Sequence, residues 1–186
     1  MKHIYLIRHG KPKFPCGKRV CLGRTNLPLC LEGFHQAKAM AELLSQKKLT
    51  VFSSPLIRAQ QTAKALKRPV IILTDLQELD AGSWDGLTFD EIRRRYPELY
   101  AARSIHKTMP LPNAEPNETG LQRFMGALKL AVSMAPDDLA IVTHGGVLGL
   151  FLEQLTGTWR KPNYCEILHV TYENTILNLI RRNNDA

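Results

Sequence analysis

The sequence predicts an α/β fold, a three-layer α/β/α sandwich with a largely parallel central sheet. The alternation of two kinds of segment leads to this prediction. Short apolar runs alternate along the chain with segments whose apolar residues recur at helical spacing. Alternation of strands and helices is typical of parallel sheets covered by helices on both faces. The 186 residues contain no internal repeat, low-complexity tract or linker, so we expect a single domain over residues 1–186.

The first half of the chain supplies three strands and two helices. Its expected elements are a strand at 3–7, a loop at 11–32, a helix at 33–46, a strand at 49–52, a helix from 55 to about 67 and a strand at 70–73. The loop is rich in Pro, Gly, Lys and Cys and has no clear period. Ser53-Ser54-Pro55 indicates a helix start, because a serine hydroxyl can cap free N–H groups and proline suits the first helical turn.

The second half continues the alternation and ends in a hairpin. Its expected elements are a helix at 89–96, a proline-rich stretch at 109–117, a helix at 118–134, a strand at 139–142, a helix at 145–155 and paired strands at 166–171 and 175–180. The strand at 139–142 is as apolar as the first strand. Two glycines, Gly145 and Gly146, open the helix that follows it. The hairpin is expected to turn at Glu173-Asn174.

The charge balance favours anionic partners. The chain has 25 lysine and arginine residues against 17 aspartate and glutamate residues, a formal net charge of +8. A basic nucleic-acid-binding module is therefore one alternative. The positive residues are spread over loops and helices without a recognised binding motif, so we do not expect nucleic acid as a partner.

Apolar runs and cysteines point to the cytoplasm. No run approaches the roughly 18–20 residues that span a bilayer, and the N-terminus is charged too early for a signal peptide, so no membrane partner is expected. The four cysteines are expected to be free thiols, because the cytoplasm is a reducing compartment.

A zinc site at Cys16, Cys21, Cys30 and His35 is disfavoured because their spacing lacks tight C-x2-C pairs. We expect no metal and no other cofactor.

Reactive side chains follow four of the predicted strands. They are Arg8 and His9 after the first strand, Ser54 and Arg58 after the second, Glu78 after the third, and Thr143 and His144 after the strand at 139–142. Ligands bind at the carboxyl ends of strands in open α/β sheets, so these groups are expected to meet. Guanidinium groups around an imidazole suit the transfer of a phosphoryl group, which carries negative charge on its equatorial oxygens.

The residue types suggest individual roles. A neutral imidazole such as that of His9 can form a covalent phospho-intermediate without help from a metal. Glu78 can protonate the leaving oxygen and then activate water, although Asp75, Asp80 and Asp85 lie in the same loop. Lys11, Arg19 and Arg24, in the long first loop, are hypothesised to steer or hold the far end of the substrate.

Four ordered motifs resemble the histidine phosphatase superfamily, which includes cofactor-dependent phosphoglycerate mutases. They are Leu6-Ile7-Arg8-His9-Gly10, the stretch from Ser53 to Ala63, Leu76-Gln77-Glu78 with Gly82-Ser83-Trp84-Asp85-Gly86, and Val142-Thr143-His144-Gly145-Gly146. The resemblance implies a phosphoglycerate mutase-like fold with His9 phosphorylated and Glu78 as proton donor and acceptor. It also implies that Arg8, Arg58 and His144 line the phosphate pocket.

The resemblance leaves the substrate open. Mutases of the family have an arginine pair after the acid-loop helix, whereas Ala101-Ala102-Arg103-Ser104 offers one arginine, which favours a phosphatase over a phosphoglycerate mutase. The compact length and the stretch Gly23-Arg24-Thr25-Asn26-Leu27-Pro28-Leu29 are similar to α-ribazole phosphatases of cobalamin assembly. A small phosphate ester is therefore the expected substrate, with α-ribazole 5'-phosphate as a candidate. The oligomeric state is not predicted.

Overall fold

A single sheet forms the centre of the computed structural model, which describes residues 1–174 and 176–182. Within these residues it has six strands: β1 (Lys2–Arg8), β2 (Leu49–Ser53), β3 (Val70–Ile72), β4 (Asp138–Thr143), β5 (Ile167–Glu173) and β6 (Ile176–Arg182). Their order is β3-β2-β4-β1-β5-β6. The first four strands in this order are parallel, whereas β5 and β6 are antiparallel to their neighbours. The prediction of a largely parallel sheet is confirmed.

Helices cover both faces of the sheet. They are α1 (Leu31–Leu43), α2 (Ile57–Lys64), α3 (Phe89–Arg95), α4 (Pro97–Ile105), α5 (Asn117–Met134) and α6 (Gly145–Thr156). Alternate residues of β1 face opposite layers: Ile4 and Leu6 pack against α5 and α6, and Tyr5 and Ile7 pack against α1 and α2. Burying each such side chain contributes about 1.5–3 kcal/mol. The three-layer sandwich is confirmed.

The start of α2 differs from the sequence prediction. The helix begins at Ile57, two residues after Pro55. Ser53 is the last residue of β2. The Ser54 hydroxyl stabilises the turn before the helix, because it accepts a hydrogen bond from the Leu56 N–H at 3.2 Å. The serine pair therefore forms the strand–helix connection and does not cap α2.

Helix α4 was not predicted from the sequence. Its first residue is Pro97, a position where the missing N–H costs nothing because no intrahelical partner exists there. The helix predicted at 89–96 stops before this proline, and α3 ends at Arg95. The proline thus ends one helix and begins the next.

Other boundaries shift by one to three residues. Helix α1 starts at Leu31, two residues before the predicted Gly33, because the Cys30 sulfur accepts a hydrogen bond from the Gly33 N–H at 3.4 Å and caps the helix. The predicted last strand starts at Thr175, which lies outside the described residues, and β6 begins at Ile176. The single domain over residues 1–186 stays a prediction.

Two further findings concern the cysteines and the length of the helices. All four cysteines are free thiols; Cys16 is exposed and Cys165 is buried. No helix among residues 1–174 and 176–182 is long and apolar enough to cross a bilayer.

The strand order fixes the position of the site. Strand β4 lies between β1 and β2 and is parallel to both, with Arg8 beside Thr143 and Ser53 beside Val142. The residues that follow these three strands therefore emerge next to one another at the carboxyl edge of the sheet.

Candidate active site

Two histidines and an arginine form the buried centre of the site. The ring centroids of His9 and His144 are 5.1 Å apart. Arg58 Nε donates to His9 Nε2 at 3.3 Å, and His144 Nε2 is 2.6 Å from the Ser54 hydroxyl oxygen. Arg58 and His144 are fully buried, and His9 is 3% exposed. The structure thus brings together residues from the ends of β1, β2 and β4, as the sequence predicts.

The hydrogen bonds of His9 define its tautomer. Nδ1 lies 2.7 Å from the Gly10 carbonyl oxygen, which can only accept, so Nδ1 carries the proton. Nε2 therefore has the lone pair, in agreement with its acceptance of the Arg58 N–H. This leaves Nε2 as the nitrogen able to attack an electrophile.

Arg58 connects this centre to the long first loop. Its two terminal nitrogens donate to the carbonyls of Thr25 and Gly23 at 2.8 and 2.7 Å. Burial lowers the pKa of Arg58 to about 10, so the guanidinium is still charged at neutral pH. The loop is therefore fixed to the site through the planar fork of this guanidinium.

Two buried nitrogens beside His9 have no hydrogen-bond partner among the described residues: Arg8 Nε and His144 Nδ1. Arg8 is otherwise held, because Nη1 donates to the Pro162 carbonyl at 2.7 Å and the guanidinium carbon is 3.8 Å from the centre of the Tyr164 ring. An unpaired buried polar group costs about 1–3 kcal/mol. An anion that accepts from the Arg8 N–H removes part of this cost.

Glu78 lies at the N-terminus of α6. Its carboxylate accepts backbone N–H groups from Leu79 at 3.0 Å, Gly146 at 2.8 Å and Val147 at 3.0 Å. A Cβ at Gly146 would be 2.7 Å from Glu78 Oε1, so the close approach requires glycine. Glu78 lines the same cavity as His9.

The neighbouring carboxylates have other contacts. Asp85 accepts the backbone N–H groups of residues 23–25, and Asp80 accepts from the Gly82 N–H. Asp75 is exposed. Among the four acidic residues of this loop, Glu78 is therefore the one that lines the cavity with His9, within the described structure.

The three residues predicted to hold the substrate's far end separate in the structure. Arg19 lines the cavity. Lys11 is bound to Glu32, and Arg24 lies 3.6 Å from Asp80 and 3.3 Å from Glu115. Neither Lys11 nor Arg24 belongs to the described cavity wall, because ion pairs with these carboxylates hold both side chains elsewhere.

Sequence reasoning missed much of the cavity wall. The cavity has a volume of about 350 Å³, and the segment between α6 and β5 contributes Trp159, Lys161 and Tyr164 to it. The aromatic–basic composition of residues 159–164 was the available signal. None of the four motifs includes this segment, because it follows the last of them in the chain.

Buried histidines predict a loss of stability in acid. Burial lowers the pKa values of His9 and His144 well below 6.5, and the Arg58 charge lowers them further. Below pH 6.5 the unfolded chain binds protons that the folded chain excludes. We therefore expect the free energy of unfolding to fall as pH drops from 6.5 towards the folded-state pKa values, by at most about 1.4 kcal/mol per pH unit for each histidine.

Urea denaturation between pH 5 and 7.5 measures this dependence. The matched control is the exposed His35. The His9→Gln variant should have a shallower slope than wild type, whereas His35→Gln should keep the wild-type slope. A wild-type slope in His9→Gln would contradict the assignment of the acid sensitivity to the site.

The fold and the site together define a phosphate-handling α/β enzyme. Comparison with known proteins gives its family: the model of the histidine phosphatase superfamily (branch 1) matches residues 4–185. The chain belongs to this superfamily. It is a phosphoric monoester hydrolase that acts on small phosphorylated substrates.

Individual relatives agree with this assignment. The chain is 29% identical to the uncharacterized phosphatase PhoE of Bacillus subtilis over 84% of its own length and 79% of PhoE. It is 32% identical to a metal-independent phosphoserine phosphatase of Arabidopsis thaliana over 82% of its length and 68% of that protein. Its fold matches the α-ribazole phosphatase from Shigella flexneri with a TM-score of 0.79 and 25% identity, covering 96% and 94% of the two chains.

Proposed function

We propose that the protein is a metal-independent phosphomonoesterase that transfers the phosphoryl group of a small metabolite to His9. The observation that carries this proposal is the tautomer of His9, with Nδ1–H held by the Gly10 carbonyl and the Nε2 lone pair facing Arg58. The lowered pKa of His9, caused mainly by burial and then by Arg58, keeps the imidazole neutral. A neutral imidazole is a competent nucleophile.

The first step forms a bond between His9 Nε2 and phosphorus while the ester P–O bond breaks. Arg8, Arg58 and His144 surround His9 and supply N–H donors for the equatorial oxygens. Glu78 in its protonated form gives its proton to the leaving alkoxide. The products are the free alcohol and phosphorylated His9.

The second step returns the enzyme to its starting state. Glu78, now a carboxylate at the N-terminus of α6, takes a proton from water as the water oxygen attacks phosphorus. The P–N bond breaks, inorganic phosphate leaves, and His9 regains its lone pair. The charges that replace a metal ion are those of the two guanidinium groups.

The Glu78→Gln variant tests the proton-transfer role. It should lower kcat for an alkyl phosphate by about 10²–10³-fold, because the alkoxide is a poor leaving group without a proton. The loss should be much smaller for p-nitrophenyl phosphate, whose leaving group needs little protonation. The exposed Glu98 of α4 supplies the control variant Glu98→Gln. Equal losses on both substrates would contradict the role of Glu78 as proton donor.

α-Ribazole 5'-phosphate is proposed as one candidate substrate. The similarity of the fold to an α-ribazole phosphatase supports this choice, whereas phosphoserine is the substrate class of another relative. The alternative within the family is a phosphoglycerate mutase. A panel of α-ribazole 5'-phosphate, O-phosphoserine, 3-phosphoglycerate and sugar phosphates, followed by release of inorganic phosphate, separates these possibilities; a mutase would isomerise 3-phosphoglycerate.

Turnover of p-nitrophenyl phosphate in the presence of EDTA tests the activity itself. Turnover that persists with EDTA supports hydrolysis without a metal. Absence of turnover would return the protein to a binding role, with a basic nucleic-acid-binding module as the alternative from another class. We also propose that the protein acts in the cytoplasm, where its four thiols stay reduced.

A further inference from the structure

The active-site cavity has a large excess of positive charge. Five cations line it within the described residues, Arg8, Arg19, Arg103, Lys107 and Lys161, against one carboxylate, that of Glu78. Arg58 adds a further positive charge behind His9. A phosphate monoester dianion neutralises two of these charges, so an excess of about three remains. A single phosphate group therefore does not explain all the positive charge of the cavity wall.

Four of the lining cations have no carboxylate within 4.0 Å among residues 1–174 and 176–182: Arg19, Arg103, Lys107 and Lys161. By contrast, Lys11 and Arg24, which lie outside the cavity wall, both pair with acidic side chains. Within the described part of the chain, four cations therefore line the cavity without an acidic partner, and their charges are available to an anionic ligand.

Lys161 lies next to Arg8 at the start of α6. A Cβ placed on Gly145 would be 2.6 Å from Lys161 Cε and 2.8 Å from Arg8 Nε, so these two cations converge over the start of α6. Lys161 is exposed, and its positive charge is repelled by that of Arg8. An anion between the two side chains would relieve this repulsion.

The same cavity has aromatic walls. Six aromatic residues line it: Phe14, Trp84, Phe89, Tyr100, Trp159 and Tyr164. The Trp84 indole N–H is buried and has no hydrogen-bond partner among the described residues. Such a wall suits a flat ring, and the indole N–H suits an acceptor atom on it.

We infer that the preferred substrate is an aromatic phosphomonoester that carries a second anionic group, a carboxylate or a phosphate, held by Lys161 and the cations beside it. This inference rests on the proposed function, because it names the substrate class of the same site. The inference also distinguishes between candidate substrates. α-Ribazole 5'-phosphate has an aromatic ring, but it has no anionic group besides its phosphate.

Matched aryl phosphates test this inference. The probes are 3- and 4-carboxyphenyl phosphate, their neutral carbamoyl counterparts, and 1,4-phenylene bisphosphate. The wild-type protein should hydrolyse a carboxylated ester with a kcat/KM roughly 10- to 100-fold above its carbamoyl counterpart, the range expected for one charge-assisted hydrogen bond. A stronger preference for the bisphosphate would identify the second group as a phosphate.

Variants assign the preference to Lys161. The Lys161→Met variant should lower the carboxylate-to-carbamoyl ratio to about one, and Lys161→Arg, which keeps the charge, should retain most of it. The exposed Lys48, which pairs with Asp137 at 2.8 Å, supplies the control Lys48→Met. Circular dichroism of each variant confirms that it is folded.

The outcomes separate the two proposals. If the wild-type protein hydrolyses none of the esters, the proposed function fails. If it hydrolyses the carbamoyl esters but does not prefer the carboxylated esters to them, the inference alone is wrong. A preference that Lys161→Met leaves unchanged also overturns the assignment to Lys161.

Discussion

The His9→Ala variant should lose phosphomonoester hydrolysis almost completely, with kcat at least about 10⁴-fold below wild type. Alanine has no lone pair to form the bond to phosphorus. The remaining donors, including Arg58, can still bind the phosphate, but they cannot replace the covalent step. We therefore expect kcat to fall far more than the affinity for inorganic phosphate, which the surrounding guanidinium groups largely determine.

Phosphate release from p-nitrophenyl phosphate and intact-mass spectrometry measure this effect. Rapid quenching under alkaline conditions should trap a phosphoryl adduct in wild type, since a phosphohistidine is labile in acid and stable in base. The adduct should be absent from His9→Ala and present in the control His35→Ala, whose side chain is exposed on α1. An adduct in the His9→Ala variant would assign the nucleophile to another residue.

The Arg58→Ala variant should show the second-largest effect, about 10³-fold in kcat together with a loss of stability. The kinetic loss follows from removing a planar donor beside the developing phosphoryl charge. The stability loss follows from the carbonyls of Gly23 and Thr25, which would lose their donors; the buried Gly23 carbonyl costs about 1–3 kcal/mol when it is unpaired, and the half-buried Thr25 carbonyl costs less. We expect both changes in one variant because a single guanidinium serves both purposes.

Two further variants separate these effects. Arg58→Lys keeps the charge without the fork, so it should recover part of kcat but little of the stability. Arg68 also donates to backbone carbonyls, those of Ser45, Lys47 and Leu49, on a surface far from the site. Arg68→Ala should therefore lower stability without changing kcat. A normal kcat in Arg58→Ala would remove Arg58 from the phosphate site.

Most of the fold was predictable because its elements are locally encoded. The apolar runs of β1 and β4 are fully buried at Ile4, Leu6 and Ile141, so hydrophobicity alone identifies them. Helix α4 escaped prediction because Pro97 begins a helix where we expected one to end. A proline is compatible with either position, and only the packing of the following residues decides between them.

The residues of the site also fall into a group that the sequence predicts and a group that it does not. His9, Arg58, Glu78 and His144 occupy motifs directly after strands, and strand ends converge by topology. Lys161 and Tyr164 lie in an irregular segment whose path depends on long-range contacts, such as the bond from Arg8 to the Pro162 carbonyl. Lys11 and Arg24 illustrate the converse: proximity in sequence to His9 did not reveal that Glu32 and Glu115 would bind them.

The insertion of β4 between β1 and β2 has a consequence for biosynthesis. Strands β1 and β2 emerge early from the ribosome, but they are not paired with each other in the finished sheet; each pairs with β4. His9 and Arg58 therefore cannot be aligned until residues 138–144 have been translated and inserted between them. Such late, long-range pairing is slow to nucleate, so nascent chains that end before β4 should be inactive and should expose the apolar edges of β1 and β2 to chaperones.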